Sequence, residues 1–116
     1  MRTTFLDIPC HVVVREYRQG GTALRLIVAE DTKFCHVGEP VCTATVCLGR
    51  EHSDELPVEG EVAIKNHDEN AGVLDALIAA GAVEKPHRSI VVGFTAYPVC
   101  RLTNTAREEL HSASQH

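Results

Sequence analysis

A predicted helix over residues 66–81 is the feature that most limits how this chain folds, because no other segment has so clear a helical pattern. Its apolar side chains recur at the spacing of one buried stripe, at Val73, Leu74, Leu77 and Ile78. The segments on either side, 61–65 and 90–102, are rich in β-branched residues and predict strands. The C-terminal half is therefore predicted to run strand, helix, strand.

Residues at both ends of this helix support its boundaries. Asn66 is predicted to cap it together with Glu69, three positions later, with Asp68 as the alternative cap. Gly72 then lies in the first turns at a cost of about 1 kcal/mol relative to Ala, which a close contact with the sheet would explain. Gly81 is predicted to end the helix in a left-handed conformation.

The N-terminal half predicts a β-hairpin over residues 11–29. Its strands are 11–17 and 22–29, and Gly20 and Gly21 form the turn because glycine reaches positive φ without steric cost. Leu24, Leu26 and Val28 share one face at period two.

Three further segments complete the pattern. Residues 34–37 are a short strand or a loop, 41–48 are a strand, and 49–60 are a long charged loop. The segment 90–102 is predicted as one long strand, with a bulge at Gly93 and an end at a sheet edge because of Pro98.

The element order β-β-β-β-α-β predicts an α+β fold. We expect an antiparallel sheet of about five strands with one main helix packed on one face, because a single helix cannot cover both faces of a parallel sheet. Residues 1–103 are predicted as one domain. Residues 104–116 are predicted as a polar tail that frays or holds a short helix around Ala106 and Leu110.

Charge and composition limit the classes of partner. The net charge of −5 disfavours direct binding to nucleic acid or to an anionic membrane, but it permits docking on a basic protein surface. Mild acidity that only keeps the protein soluble is the alternative. No apolar run approaches the roughly 20 residues of a membrane span, and the first residues lack a signal-peptide core. Five cysteines, an odd number, also favour the cytoplasm, so we expect a cytoplasmic protein.

Short motifs in a fixed order carry a resemblance to one family. They are Tyr17 with Gly20-Gly21, Ala23-Leu24-Arg25-Leu26, Gly38-Glu39-Pro40, Ala44-Thr45-Val46-Cys47-Leu48, Asn66, Val92-Gly93-Phe94 and Tyr97-Pro98-Val99. In this order the chain resembles domain of unknown function family 4313, small proteins of bacteria, plasmids and phages. The resemblance implies an accessory protein of a mobile element in a bacterial host cell, of a kind that counters host defence. It implies no catalytic residue.

Cysteine and histidine residues offer an alternative chemistry. Two Cys-His dipeptides, Cys10-His11 and Cys35-His36, stand out, with Cys42, Cys47 and His52 further along. Zinc sites usually take two close ligand pairs, but the chain has no C-x-x-C pair and adjacent residues on a strand diverge. Cys100 with His87 or His111 is a conceivable thiol and imidazole pair for catalysis, but nothing in the local sequence favours it. We predict no catalytic residue, no metal ligand and no cofactor, and a small zinc-binding or thiol-dependent protein is the alternative.

Two groups of carboxylates are the predicted partner-binding residues. They are Glu51, Asp54 and Glu55 in the long loop, and Asp68, Glu69 and Asp75 around the helix start. Capping and solvation explain them equally well, yet carboxylates facing Lys or Arg on a partner would speed and direct association. The predicted function is a non-enzymatic protein that docks this acidic surface on a host defence complex, of the CRISPR or restriction type, and inhibits it. A homodimer paired edge to edge through the strand at 90–102 is a further alternative.

Overall fold

Two antiparallel sheets form the body of the protein in the computed structural model, which describes residues 1–17, 21–46 and 60–114. The first sheet has the order β1-β2-β3-β4, with strands Arg2–Phe5, Ile8–Glu16, Thr22–Val28 and Pro40–Thr43. The second has the order β5-β7-β6, in which β5 is Glu61–Ala63, β6 is Arg88–Val92 and β7 is Thr95–Arg101. The helices are α1, Val73–Ala79, and α2, Asn104–Ser114, and a 3₁₀ turn at Asp68–Asn70 precedes α1.

The predicted α+β class, with antiparallel strands and one main helix packed against them, is confirmed. The described residues form seven strands in two sheets, however, rather than about five in one. One added strand is β1, and another arises because residues 88–101 fold back on themselves. The sheets meet at a bridge between Thr45 and Ile64, where Val46 N–H donates to the Ala63 carbonyl.

The hairpin predicted over residues 11–29 is confirmed as β2 and β3. Val14 lies opposite Leu24 and Val12 opposite Leu26, and all four side chains are buried. Arg25 points to the other, solvent-exposed face, as the period of two requires. The turn residues 18–20 lie outside the described residues.

The segment predicted as one strand over 90–102 is a hairpin. Gly93 and Phe94 form a two-residue turn, and Gly93 has φ +63°, so its role is a turn and not a bulge. The edge position predicted from Pro98 is also wrong, because β7 is the central strand. The Pro98 carbonyl accepts from Ile64 N–H, and β5 ends at Ala63. Because the β5–β7 ladder ends at this point, no ladder hydrogen bond within β5 is lost through the missing N–H of Pro98.

Helix α1 is shorter than predicted. Gly72 has φ +93° and immediately precedes the helix, so a positive φ, and not the predicted close contact with the sheet, accounts for it. The N-cap residue of α1 is Gly72 and not Asn66, but the Asn66 Oδ1 still accepts from the N–H groups of Gly72 and Leu74 at the start of the helix. Glu69 takes no part in a reciprocal cap and binds Lys65 instead. Gly81, at φ +75°, follows the helix as predicted.

The C-terminal segment forms a helix that belongs to the core. Ala106 of α2 is fully buried, and Leu110 packs against the main apolar cluster. The Thr103 hydroxyl oxygen accepts from Ala106 N–H and donates to the Gly81 carbonyl at 2.6 Å. Of the two predicted alternatives, residues 104–114 therefore follow the helical one, in a helix longer than the short one expected around Ala106 and Leu110, and they are folded onto the domain.

One apolar cluster joins both sheets and both helices. Its large members come from every layer, namely Leu24, Leu26, Ile64, Leu77 and Leu102. A second, small cluster of Ala63, Ile90 and Val99 lies on the other face of the second sheet. Within the described residues, no helix is long and apolar enough to cross a membrane.

Replacing Ala106 by Asp tests the packing of α2. We expect the free energy of unfolding to fall by roughly 2–4 kcal/mol, because the change buries a carboxylate without a partner. The control Thr105→Asp, at an exposed neighbouring position, should change it by about 0.5 kcal/mol or less. Urea titration followed by circular dichroism measures both, and equal stability of the two variants would show that α2 does not pack.

Candidate functional site

The β1–β2 turn and the β3–β4 loop place three large apolar side chains in solvent at one end of the first sheet. Leu6 is 63% exposed, Phe34 86% and Val37 59%. Phe34 is one of only three phenylalanines in the chain. Single exposed apolar residues are common, whereas a group of them on neighbouring loops marks a binding surface. We call Leu6, Phe34 and Val37 the apolar end.

Polar side chains fix the backbone of the β3–β4 loop. The Thr32 hydroxyl accepts from the N–H groups of Phe34 and Cys35, and Asp31 Oδ1 accepts from Val37 N–H at 2.9 Å. Glu39 Oε1 accepts from His36 N–H at 3.0 Å. Because these bonds hold the loop from its polar side, Phe34 and Val37 are presented outward without contributing to the core.

The β1–β2 turn holds Leu6 in an uncommon conformation. Leu6 and Asp7 have φ of +53° and +62° in a two-residue turn, a geometry that normally selects Asn and Gly. A leucine at positive φ costs free energy, and residues kept in such conformations cluster at functional sites. The third described non-glycine residue with positive φ is Asp68, at +54°.

The turn and the loop lie side by side because their strands are paired. Ala29 N–H donates to the Pro9 carbonyl, which joins the end of β3 to the start of β2. Arg2 on β1 forms an ion pair of 2.7 Å with Glu30, where the loop begins. The three apolar side chains thus lie on loops at the same end of the sheet.

Two of the predicted partner-binding carboxylates lie beside the C-terminal end of β4, which is the end opposite the β3–β4 loop. Asp68 and Glu69 are exposed on the 3₁₀ turn, and that turn is attached to β4 by the Asn70 amide, which donates to the Thr43 carbonyl. Its own backbone hydrogen bond and the ion pair with Lys65 lower the pKa of Glu69. Asp31 and Glu39, in contrast, belong to the β3–β4 loop itself and form the acidic border of the apolar end.

The other predicted carboxylates are placed differently. Asp75 lies on α1 in a groove of about 580 Å³ between α1 and β1, and Leu6 lines the same groove. Asp75 is therefore on the β1 side of the sheet, whereas Asp68 and Glu69 are on the β4 side. Glu51, Asp54 and Glu55 lie outside the described residues, as do Cys47 and His52.

The buried thiols are poor nucleophiles. Burial raises the pKa of Cys42 and of Cys100 to about 11, and burial also raises the pKa of Cys10. A thiol reacts as the thiolate, so these groups are almost entirely in the unreactive form at neutral pH. In the parts of the chain that the structure describes, no group of three His, Cys, Asp or Glu side chains is arranged to hold a metal ion.

The structure also brings together Glu61, His87 and Arg88, a cluster that the sequence did not predict. The Glu61 side chain is only 8% exposed and lies between His87, to which it is hydrogen-bonded, and Arg88, at 2.8 Å. Arg88 and Glu61 are on different strands with β7 between them, so sequence spacing carried no signal for the cluster. A carboxylate and imidazole pair can relay a proton, but Cys100 points to the opposite face of the sheet from Glu61, so His87 does not activate it.

Comparisons with known proteins identify no relative: no family model matches the chain, and no curated protein or solved structure matches it. The resemblance to domain of unknown function family 4313 stays a prediction from the motifs.

Alkylation rates test whether any buried thiol is activated. With a pKa of about 11, roughly one thiol in 3,000 is ionised at about pH 7.5, so Cys42 and Cys100 should react with iodoacetamide far more slowly than in the urea-denatured protein. Their rates should keep rising with pH up to about 11. Peptide mass spectrometry locates each product, and fast alkylation of Cys100 at neutral pH would instead indicate a thiol-dependent protein.

Proposed function

We propose that the protein is a non-enzymatic binding protein that docks on another protein through the apolar end and its acidic border. The observation that carries this proposal is the exposure of Leu6, Phe34 and Val37 on neighbouring loops whose backbones are held by other groups. These side chains do not pack in the core. Binding to a partner would bury their apolar surface.

The arrangement suits a protein interface energetically. Burying a large apolar side chain contributes about 1.5–3 kcal/mol, and three of them form the centre of a small contact. Because the loop is already ordered by its own hydrogen bonds, little conformational entropy is lost on binding. The carboxylates of Asp31 and Glu39 form a charged rim, which selects a partner with Lys and Arg at matching positions.

A basic protein surface is the partner that this rim and the net charge of −5 favour. Nucleic-acid-binding effectors expose such surfaces in the channels that hold their substrate. We propose that the protein is an accessory protein of a phage or other mobile element, and that it acts in the bacterial cytoplasm by blocking a host defence complex of the CRISPR or restriction type. The motifs that resemble family 4313 support this habitat.

Two matched valine variants test the surface. Val37 and Val91 are 59% and 58% exposed, but only Val37 belongs to the apolar end. We expect Val37→Asp to reduce binding to the defence complex at least about tenfold, since it removes apolar contact and adds a carboxylate to be desolvated. Val91→Asp should bind like the unmodified protein.

Pull-down with purified CRISPR surveillance complexes and restriction enzymes measures this binding, and phage plating on cells with an active defence system measures inhibition. The unmodified protein should increase plating, and Val37→Asp should abolish the increase. Absence of binding and of any plating effect across these systems would contradict the defence-inhibitor proposal. Equal loss in both variants would contradict the assignment of the surface.

A further inference from the structure

Within the residues that the structure describes, no strand pairs with the outer edge of β6. β6 is the last strand in the order β5-β7-β6, and no other described strand lies on its outer side. The two-residue turn at Gly93 and Phe94 fixes the hydrogen-bonding pattern, so Ile90 and Val92 exchange bonds with β7. The N–H and C=O groups of Ser89 and Val91 therefore point away from the sheet.

This edge lacks the features that usually prevent pairing. Natural edge strands are protected by charged side chains, proline or bulges. β6 carries one charged residue, Arg88, and its guanidinium turns back across β7 to Glu61 at 2.8 Å. Val91 is 58% exposed, and Phe94 at the hairpin tip is fully exposed. The edge of β6 is thus apolar and lacks the protective features that would prevent another strand from pairing with it.

We propose that two copies of the protein pair through β6, antiparallel, about a two-fold axis at Ile90. In this register Ser89 of each copy lies opposite Val91 of the other. Because these are the two residues whose backbone groups face outward, the pairing forms four hydrogen bonds between the copies. No other register centred within β6 aligns both outward-facing residues with each other.

A second copy fits this edge in charge. Arg88 comes opposite Val92 of the other copy, so no like charges are directly opposed. The contact is the same on both copies and uses up both β6 edges, so it closes as a dimer through this strand.

A proline at Val91 tests the pairing directly. Val91→Pro removes an N–H that β7 does not use, so the β6–β7 hairpin keeps its hydrogen bonds while the intermolecular ladder loses two of its four. Light scattering over a range of protein concentrations should show a dimer for the unmodified protein and for Val91→Thr. We expect the dissociation constant of Val91→Pro to be at least about tenfold higher.

Charge variants keep the test independent of any folding defect caused by proline. Val91→Lys should weaken the dimer with the backbone intact. Adding Ser89→Glu should restore it, because the carboxylate introduced on one copy then faces the ammonium group introduced on the other. Hydrogen exchange should show protection of the Ser89 and Val91 amides that increases with concentration. A protein that stays monomeric, or a dimer that Val91→Pro and Val91→Lys leave unchanged, would overturn the proposal.

The dimer does not depend on the proposed docking function. Val37→Asp should lose the partner and keep the dimer, whereas Val91→Lys should lose the dimer and keep the partner. The docking proposal and the dimer proposal are therefore tested independently of each other.

Discussion

The junction between the two sheets holds the fold together. Thr45 pairs with Ile64 of the second sheet, and its hydroxyl accepts from Leu24 N–H of the first. The Tyr17 hydroxyl lies 2.8 Å from the same oxygen, so it reaches across β3 from β2. Because Thr45 is only 6% exposed, these bonds are shielded from water. The junction allows one apolar cluster to collect side chains from both sheets and both helices.

The core that this junction encloses leaves few large apolar side chains outside, and their positions are informative. The described ones fall on two surfaces: Leu6, Phe34 and Val37 at the loops of the first sheet, and Val91 and Phe94 on the hairpin of the second. The first surface has an acidic border and side chains on a fixed loop, which suits a basic protein. The second has backbone groups that no described strand pairs with, which suit another strand. The physical difference lies in what remains unpaired, apolar surface in one case and a hydrogen-bonding edge in the other.

Asp68 and Glu69, two of the predicted partner-binding residues, are exposed, as polar residues ahead of an amphipathic helix should be. Their role in binding a partner stays a prediction. Leu6, Phe34 and Val37 were missed, because an apolar residue in a short loop looks like a core residue until the fold shows that nothing covers it. The positive φ of Leu6 had no signal either, since the turn contains neither Asn nor Gly.

Local sequence was enough to define the β2–β3 hairpin, the buried stripe of α1, the glycine that ends α1, and the α+β class. These depend on periods of two and 3.6 residues and on residues that favour particular backbone angles, all of which are local properties. Three features came instead from the tertiary structure: Pro98 lies in a central strand, residues 104–114 close the core, and Glu61 meets Arg88 across β7. Each of these depends on which distant segments become neighbours, and the local pattern of residues does not indicate which segments pair.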